Sequence, residues 1–141
     1  MFNPSRDQAR TFFFEAWRKQ AERLPLTPLE EQATRIMGQH PEYHRVLDDR
    51  LRHQEREWTP EQGETNPFLH LSLHLAVQEQ LGIDQPPGLR AAWQQLLKGG
   101  MPPHEAEHRL MDALAETLWE SQRHGLPLDA AAYLRRVRAP S

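Results

Sequence analysis

The sequence predicts an all-α fold, a single-domain bundle of about six to seven helices with no sheet, over residues 1–141. Apolar residues recur at the three- and four-residue spacing of amphipathic helices. Prolines preceded by capping residues stand where helices would begin, and glycines stand where they would end. No alternating run of β-branched residues bounded by hairpin signals occurs.

Capping signals predict the first two helices. Asn3 can cap a helix whose first position is Pro4. Thr27, Pro28 and Glu30 form the pattern of a capping box, in which the threonine and the glutamate side chains each accept a hydrogen bond from a backbone N–H at the helix start. We therefore expect helices to begin at these two prolines.

Later helices carry similar signals. Pro41 and the pair Asn66 and Pro67 mark two more helix starts. The segment 54–66 has no helical pattern and is predicted as an ordered loop, which Trp58 would attach to the core. The predicted helices span 4–23, 28–39, 41–53, 67–81, 87–98, 102–124 and 129–137.

The composition excludes several classes of protein. The chain has no cysteine, so any metal would need His, Asp, Glu, backbone or water ligands. Its formal net charge is −3, whereas a dedicated nucleic-acid-binding protein would usually be basic. No apolar stretch resembles a signal peptide or is long enough to cross a bilayer. We expect a cytoplasmic protein that binds neither nucleic acid nor membranes.

The chain contains eight histidines, and six of them form pairs spaced four residues apart. Two histidines at this spacing share a helix face and can bind one metal ion. Random placement would give roughly half of one such pair. The pairs are His40/His44, His70/His74 and His104/His108. The remaining two, His53 and His124, lack this patterning and are expected at the surface.

The pair His70 and His74 lies on a segment that is apolar around most of its circumference. Both share a helix face with Leu73, Val77 and Leu81. A buried imidazole must hydrogen-bond both ring nitrogens or bind a metal. The sequence leaves both possibilities open for this pair.

Residues 104–108, HEAEH, match both short zinc-hydrolase motifs, H-E-x-x-H and H-x-x-E-H. A helical wheel turns His104, Glu107 and His108 toward the apolar arc, and Glu105 away from it. The first motif would use Glu105 as general base, and no strand is predicted to hold a peptide, so a peptidase is disfavoured. An inward Glu107 should pair with a cation, a histidine or a metal.

The pair His40 and His44 aligns with Leu47 and Leu51 on the apolar face of the predicted third helix. His40 directly precedes a proline and can lie outside that helix, so its direction is less certain.

Several stretches resemble a known family: MFNPSRDQARTFFFEAWRK, LTPLE, HPEYHRVLDD, TPEQGETNPFLHLSLHLAVQEQLGIDQPPG, HEAEHRLMDALAETLWE and AAYLRRVR. Over nearly its full length the chain resembles the DUF1841 family of uncharacterised bacterial proteins, most specifically in TNPFLHLSLHLA. The resemblance implies a small bacterial protein of the cytoplasm and implies no activity. The functional hypothesis therefore rests on the residues.

Those residues favour a helical bundle that binds a transition metal, zinc or iron, through inward histidines, with an open position for chemistry on water or oxygen. The ligand candidates, strongest first, are His70, His74, His104 and His108, then His44, then His40, with Glu107 as ligand or outer carboxylate. Mononuclear and dinuclear centres both stay open. The alternative is a metal-free interaction module with a buried network of histidines, Glu107 and Tyr43. Its partner surface would be TFFFEAW, although core packing explains that stretch more simply. The sequence identifies no protein partner and leaves a homodimer open.

Overall fold

The computed structural model describes residues 5–58 and 66–140. Most of these residues are helical and none lies in a strand, so the all-α prediction is confirmed. No helix in this described part is both long enough and apolar enough to cross a membrane. The elements are α1 (Arg6–Ala21), α2 (Pro28–Gly38), a 3-10 turn (Pro41–Tyr43), α3 (His44–Leu47), α4 (Arg50–His53), α5 (Pro67–Ile83), α6 (Leu89–Lys98), α7 (Pro103–His124) and α8 (Ala130–Arg138).

The chain divides into two compact units, Met1–Leu75 and Ala76–Ser141. The first unit contains α1 to α4 and the first part of α5. The second contains the end of α5 and α6 to α8. The single domain over 1–141 stays a prediction.

Two predicted capping signals are confirmed. The Thr27 hydroxyl accepts a hydrogen bond from the Glu30 backbone N–H at 3.1 Å, and the Glu30 carboxylate accepts one from the Thr27 N–H at 2.9 Å. At the start of α5, Asn66 Oδ1 accepts a hydrogen bond from the Phe68 N–H at 3.0 Å. These contacts fix the first turns of α2 and α5, because they satisfy N–H groups that have no partner within the helix.

The first helix begins two residues later than predicted. The proposed cap Asn3 and Pro4 lie outside the described residues. Ser5 is the N-cap of α1, and its hydroxyl accepts a hydrogen bond from the Gln8 N–H at 3.2 Å. The Gln8 amide oxygen accepts one in return from the Ser5 N–H, which completes a capping box.

The prediction of one continuous helix over 41–53 is wrong. That segment is a 3-10 turn followed by two single-turn helices. Asp49 interrupts it in a non-helical conformation, and its side chain accepts a hydrogen bond from the Arg52 N–H as the cap of α4. The interruption changes the helical phase, so Leu47 is buried whereas Leu51 is 100% exposed.

The first unit is organised around an aromatic and aliphatic core. Phe13, Phe14 and Leu71 are buried there together with Phe68, so core packing accounts for the TFFFEAW stretch. Trp58 packs edge to face on Phe68 with ring centroids 5.6 Å apart, as predicted for this residue. Most of the predicted 54–66 loop lies outside the described residues.

The second unit packs α6, α7 and α8 against one another. Leu89, Leu110 and Tyr133 are fully buried in it. The Tyr133 hydroxyl donates a hydrogen bond of 2.7 Å to the side-chain oxygen of Gln80, which is also buried. Burial raises the pKa of Tyr133 far above its usual range, so this hydroxyl stays protonated and keeps its role as donor.

Candidate metal centre

Three histidines of the first unit converge. His40, His70 and His74 each offer a ring nitrogen, and these nitrogens lie within 4.8 Å of one another. The ring centroids are 5.1 Å apart for His40 and His70, 4.9 Å for His40 and His74, and 4.8 Å for His70 and His74. His40 and His74 are 8% and 4% exposed, and His70 is half-buried. The group is therefore close enough to share one ion and largely removed from water.

Two of these side chains come from one helix and the third comes from a helix end. His70 and His74 stand one turn apart on α5, which places both imidazoles on one face. His40 follows the end of α2, where its backbone N–H donates a hydrogen bond to the Met37 carbonyl at 3.1 Å. Its backbone angles, φ −124° and ψ 68°, lie outside the helical region. Helical periodicity therefore could not assign a direction to His40.

The ring of His40 is fixed by two contacts. Nδ1 lies 2.8 Å from the Ile36 carbonyl oxygen, and Tyr43 stacks on the ring with centroids 5.3 Å apart and planes 4° from parallel. Because a carbonyl only accepts, Nδ1 carries the proton and Nε2 is the atom available to a metal. Metal-binding histidines commonly have their second nitrogen held by a backbone carbonyl or a carboxylate in this way.

The nitrogens of the α5 pair face each other. Nε2 of His74 lies 3.2 Å from Nε2 of His70. Two nitrogens bound tetrahedrally to one zinc ion would be about 3.3 Å apart, given Zn–N bonds of about 2.0–2.1 Å. A direct N–H···N hydrogen bond is also compatible with this distance, at the long end of the usual range. The two arrangements differ in the position of one proton. The hydrogen bond needs a proton on one of the two Nε2 atoms, whereas metal binding needs a lone pair on both.

Tyr43 forms one wall of the group. Besides stacking on His40, its ring approaches His70 edge-on with centroids 5.9 Å apart. The side chain is half-buried, and burial raises the pKa of Tyr43 above its usual range. Its hydroxyl therefore stays neutral at physiological pH and adds no negative charge beside the imidazoles.

The structure does not bring His44 into this group. Its Nε2 donates a hydrogen bond of 2.9 Å to the Met37 carbonyl oxygen, and its ring packs on Trp17 with centroids 4.6 Å apart. These contacts give His44 a packing role at the junction between α2 and α3.

The histidines and glutamate predicted on α7 differ in burial. His104 is exposed, so its predicted inward direction is wrong. The whole stretch 102–105 is exposed, which means that α7 begins outside the packed part of its own unit. Glu107 and His108 are half-buried, and both oxygens of the Glu107 carboxylate lie 3.3 Å from the side-chain nitrogen of Gln78, which donates to them. Their roles toward a metal stay predictions.

The prediction that His53 lies at the surface is also wrong. His53 is buried, with 7% of the residue exposed, and its ring stacks on Trp58 with centroids 6.0 Å apart. The pattern missed it because α4 is a single turn, too short to show periodicity. His124 is exposed in the last turn of α7, as predicted.

One comparison with known proteins gives a match. The family model described as "Domain of unknown function (DUF1841)" matches residues 5–139. No curated protein matches the chain, and no solved structure does.

Proposed function

We propose that this chain, which belongs to the DUF1841 family, binds a transition-metal ion through His40, His70 and His74. One observation carries the proposal: three imidazoles, two of them buried and that of His70 half-buried, present nitrogens within 4.8 Å of one another. The hydrogen bond from His40 Nδ1 to the Ile36 carbonyl supports it, because that bond leaves Nε2 free to serve as a ligand.

Zinc or iron(II) suits this set of ligands best. Imidazole nitrogen binds zinc, iron, copper and nickel, whereas magnesium and calcium prefer oxygen. The group contains no carboxylate from the described residues. Three protein ligands leave a coordination position open, which is the arrangement found in catalytic zinc sites. The metal would therefore support chemistry on bound water or oxygen.

We extend the proposal to α7. His108 is the candidate for a fourth ligand, in which case an open position requires a coordination number above four. Glu107 is the candidate for an outer carboxylate. Both were chosen from the sequence because they face the apolar arc of the helix, and both are half-buried. His104 is the weakest of the sequence-based candidates because it is exposed.

A metal-free interaction module is the second candidate function. The 3.2 Å contact between the Nε2 atoms of His70 and His74 favours it if one nitrogen is protonated and donates to the other. With His40 bonded to the Ile36 carbonyl, the histidines would then form a hydrogen-bond network that needs no ion.

Metal content of the purified protein distinguishes the two functions. The full chain, expressed without a histidine tag, is analysed for bound metals, stripped with a chelator and titrated with zinc and with iron(II). We expect close to one bound ion per chain and its recovery on titration. His74→Gln should abolish binding, since glutamine keeps size and polarity but is a poor ligand.

The matched control is His124→Gln, which makes the same change at an exposed histidine and should leave binding intact. His108→Gln tests the fourth ligand and should weaken binding without abolishing it. Circular dichroism verifies that each variant is folded. A folded wild-type protein that neither contains nor takes up metal would contradict the proposal and favour the metal-free module.

A further inference from the structure

We infer that two copies of this chain form a symmetric dimer, in which the Leu51 side chain of each copy inserts into a small pocket in the first unit of the other. The pocket has a volume of about 270 Å³ and lies between α1 and the segment that joins α3 to α4. Its lining residues are Phe14, Trp17, Arg18, Ala21, Leu47, Asp48 and Arg50. None of them belongs to the histidine group, so the inference is independent of the proposed metal site.

The pocket suits an apolar side chain. Phe14 and Leu47 are its buried members, 3% and 4% exposed. The Trp17 indole N–H donates a hydrogen bond of 2.7 Å to the Asp48 carboxylate. Because this donor is already satisfied, the indole offers the pocket its carbon surface. A ligand that needs hydrogen-bond partners would gain little here, whereas an apolar group would leave water.

Leu51 is an apolar side chain that the fold holds in solvent beside this pocket. It is 100% exposed and directly follows Arg50, a lining residue. The single turn of α4 is fixed at both ends, because the Asp49 side chain accepts a hydrogen bond from the Arg52 N–H at 3.3 Å and the Gln54 N–H donates to the Arg50 carbonyl at 2.9 Å. Isolated exposed leucines are common on monomers. This leucine is held in a fixed turn, so its burial in a partner costs little conformational entropy.

The position of Leu51 next to the pocket is the condition for a symmetric dimer. In a two-fold dimer both copies use the same surface, so the inserted side chain and the pocket that receives it have to lie on one patch. Arg50 connects the two, because it lines the pocket and precedes Leu51. Each dimer would then contain two identical Leu51–pocket contacts.

The charges around the pocket also favour a second copy. Arg18 pairs with Glu15 and with Glu22 at 2.7 Å, and Arg50 lies 3.7 Å from Glu15. Together with Asp48, the rim therefore carries both signs in nearly equal number. A strongly acidic or strongly basic partner would meet like charges on such a rim, whereas a second copy brings the same mixture of signs.

Sedimentation of the full chain without a histidine tag tests for the dimer. Protein is measured from about 1 µM to about 1 mM, since an interface built on a small patch is expected to be weak. We expect a concentration-dependent monomer–dimer equilibrium, equal with chelator and with added zinc. Leu51→Asp should raise the dissociation constant by about tenfold or more. Leu126→Asp is the matched control, because Leu126 is 64% exposed and does not line the pocket.

A disulfide tests where Leu51 lies in the dimer. The chain has no cysteine of its own, so single cysteines can be placed at will. Leu51→Cys is mixed with Ala21→Cys under mild oxidation, and mass spectrometry identifies the mixed disulfide by its mass. Ala21 lines the pocket and is exposed, and a disulfide forms only where the two Cα atoms come within about 7 Å. We expect this pair to cross-link faster than Leu126→Cys mixed with Ala21→Cys.

Four results would overturn the inference. A wild-type protein that stays monomeric throughout would leave the pocket to a different chain or to a small apolar molecule. A dimer that Leu51→Asp and Leu126→Asp leave equally strong would use another surface. A dimer that chelator dissolves would be linked by metal. A dimer that Leu51→Asp weakens, but whose cysteine pair cross-links no faster than the control pair, would place Leu51 outside the pocket. Circular dichroism verifies that each variant keeps the helical fold.

Discussion

Arg10 is the most informative residue for the stability of the first unit. It is 2% exposed, although it carries a charge. Its Nη1 donates hydrogen bonds of 2.8 Å to the carbonyl oxygens of both Gln54 and Arg56. Its guanidinium lies 5.1 Å from the ring centroids of both Trp58 and Phe68. Arg10 therefore fastens the chain after α4 to the aromatic core.

The substitution Arg10→Met removes the charge and keeps much of the apolar length. Hydrogen bonds from a charged donor contribute about 1.5–3 kcal/mol each to stability, and cation–π contacts about 0.5–2 kcal/mol. An opposing effect reduces the loss, because burial disfavours the charge and lowers the pKa of Arg10. Removing the charge also removes the cost of burying it. With that gain subtracted from the lost contacts, we expect the free energy of unfolding to fall by about 2–4 kcal/mol.

Urea unfolding in the presence of chelator measures this change without a contribution from metal. Arg6→Met is the matched control, because Arg6 also donates to the Arg56 carbonyl, at 3.0 Å, but is exposed and pairs with Glu57 in solvent. It should unfold at nearly the wild-type urea concentration. An Arg10→Met protein within about 0.5 kcal/mol of wild type, the usual range for surface changes, would refute the role given to Arg10.

Two further predictions concern single contacts. Tyr133→Phe leaves the buried Gln80 oxygen without its 2.7 Å donor, so thermal or urea unfolding should show a loss of about 1–3 kcal/mol; an unchanged stability would show that the oxygen finds another partner. The pKa of Glu30 is held below its usual range, first by the Thr27 backbone N–H and then by Lys19 at 3.0 Å. A lowered folded-state pKa gives stability that is present above the unfolded-state pKa of about 4.3 and is lost as the pH falls through the folded-state value. Unfolding midpoints measured from neutral to acidic pH should therefore show that Glu30→Gln is destabilising at pH 7 and progressively less so in acid. A stability difference between wild type and variant that does not change with pH would contradict this linkage.

Local signals in the sequence were sufficient for most helix starts and for the α5 pair. Thr27, Glu30 and Asn66 act as caps because capping depends on a few neighbouring residues. His70 and His74 could be placed because α5 is long enough for its apolar pattern to assign faces.

The burial and contacts of the other histidines depend on positions where a helix begins or ends, or is only one turn long. His40 lies beyond the end of α2, and His53 lies in a single-turn helix, so periodicity could not decide the burial of either. His44 follows the predicted spacing, but the Met37 carbonyl and the Trp17 ring hold it in a different role. His104 follows it too, yet stands in an exposed first turn. Equal spacing does not distinguish these cases, because the partners lie on other segments of the chain.

The melting temperature with and without a strong chelator, on untagged protein at neutral pH, tests the metal site most directly. A ligand present at 100 times its dissociation constant stabilises the folded state by about 2.7 kcal/mol, which corresponds to roughly 5–15 °C for a chain of this size. We expect the chelator to lower the melting temperature by that amount in the wild type and in His124→Gln, and to have no effect on His74→Gln. The effect should also fade in the wild type as the pH falls below about 6.5, where imidazoles generally take up protons instead of metal. The account would be contradicted by a wild-type protein that has been incubated with zinc or iron(II) and still melts at the same temperature with and without chelator.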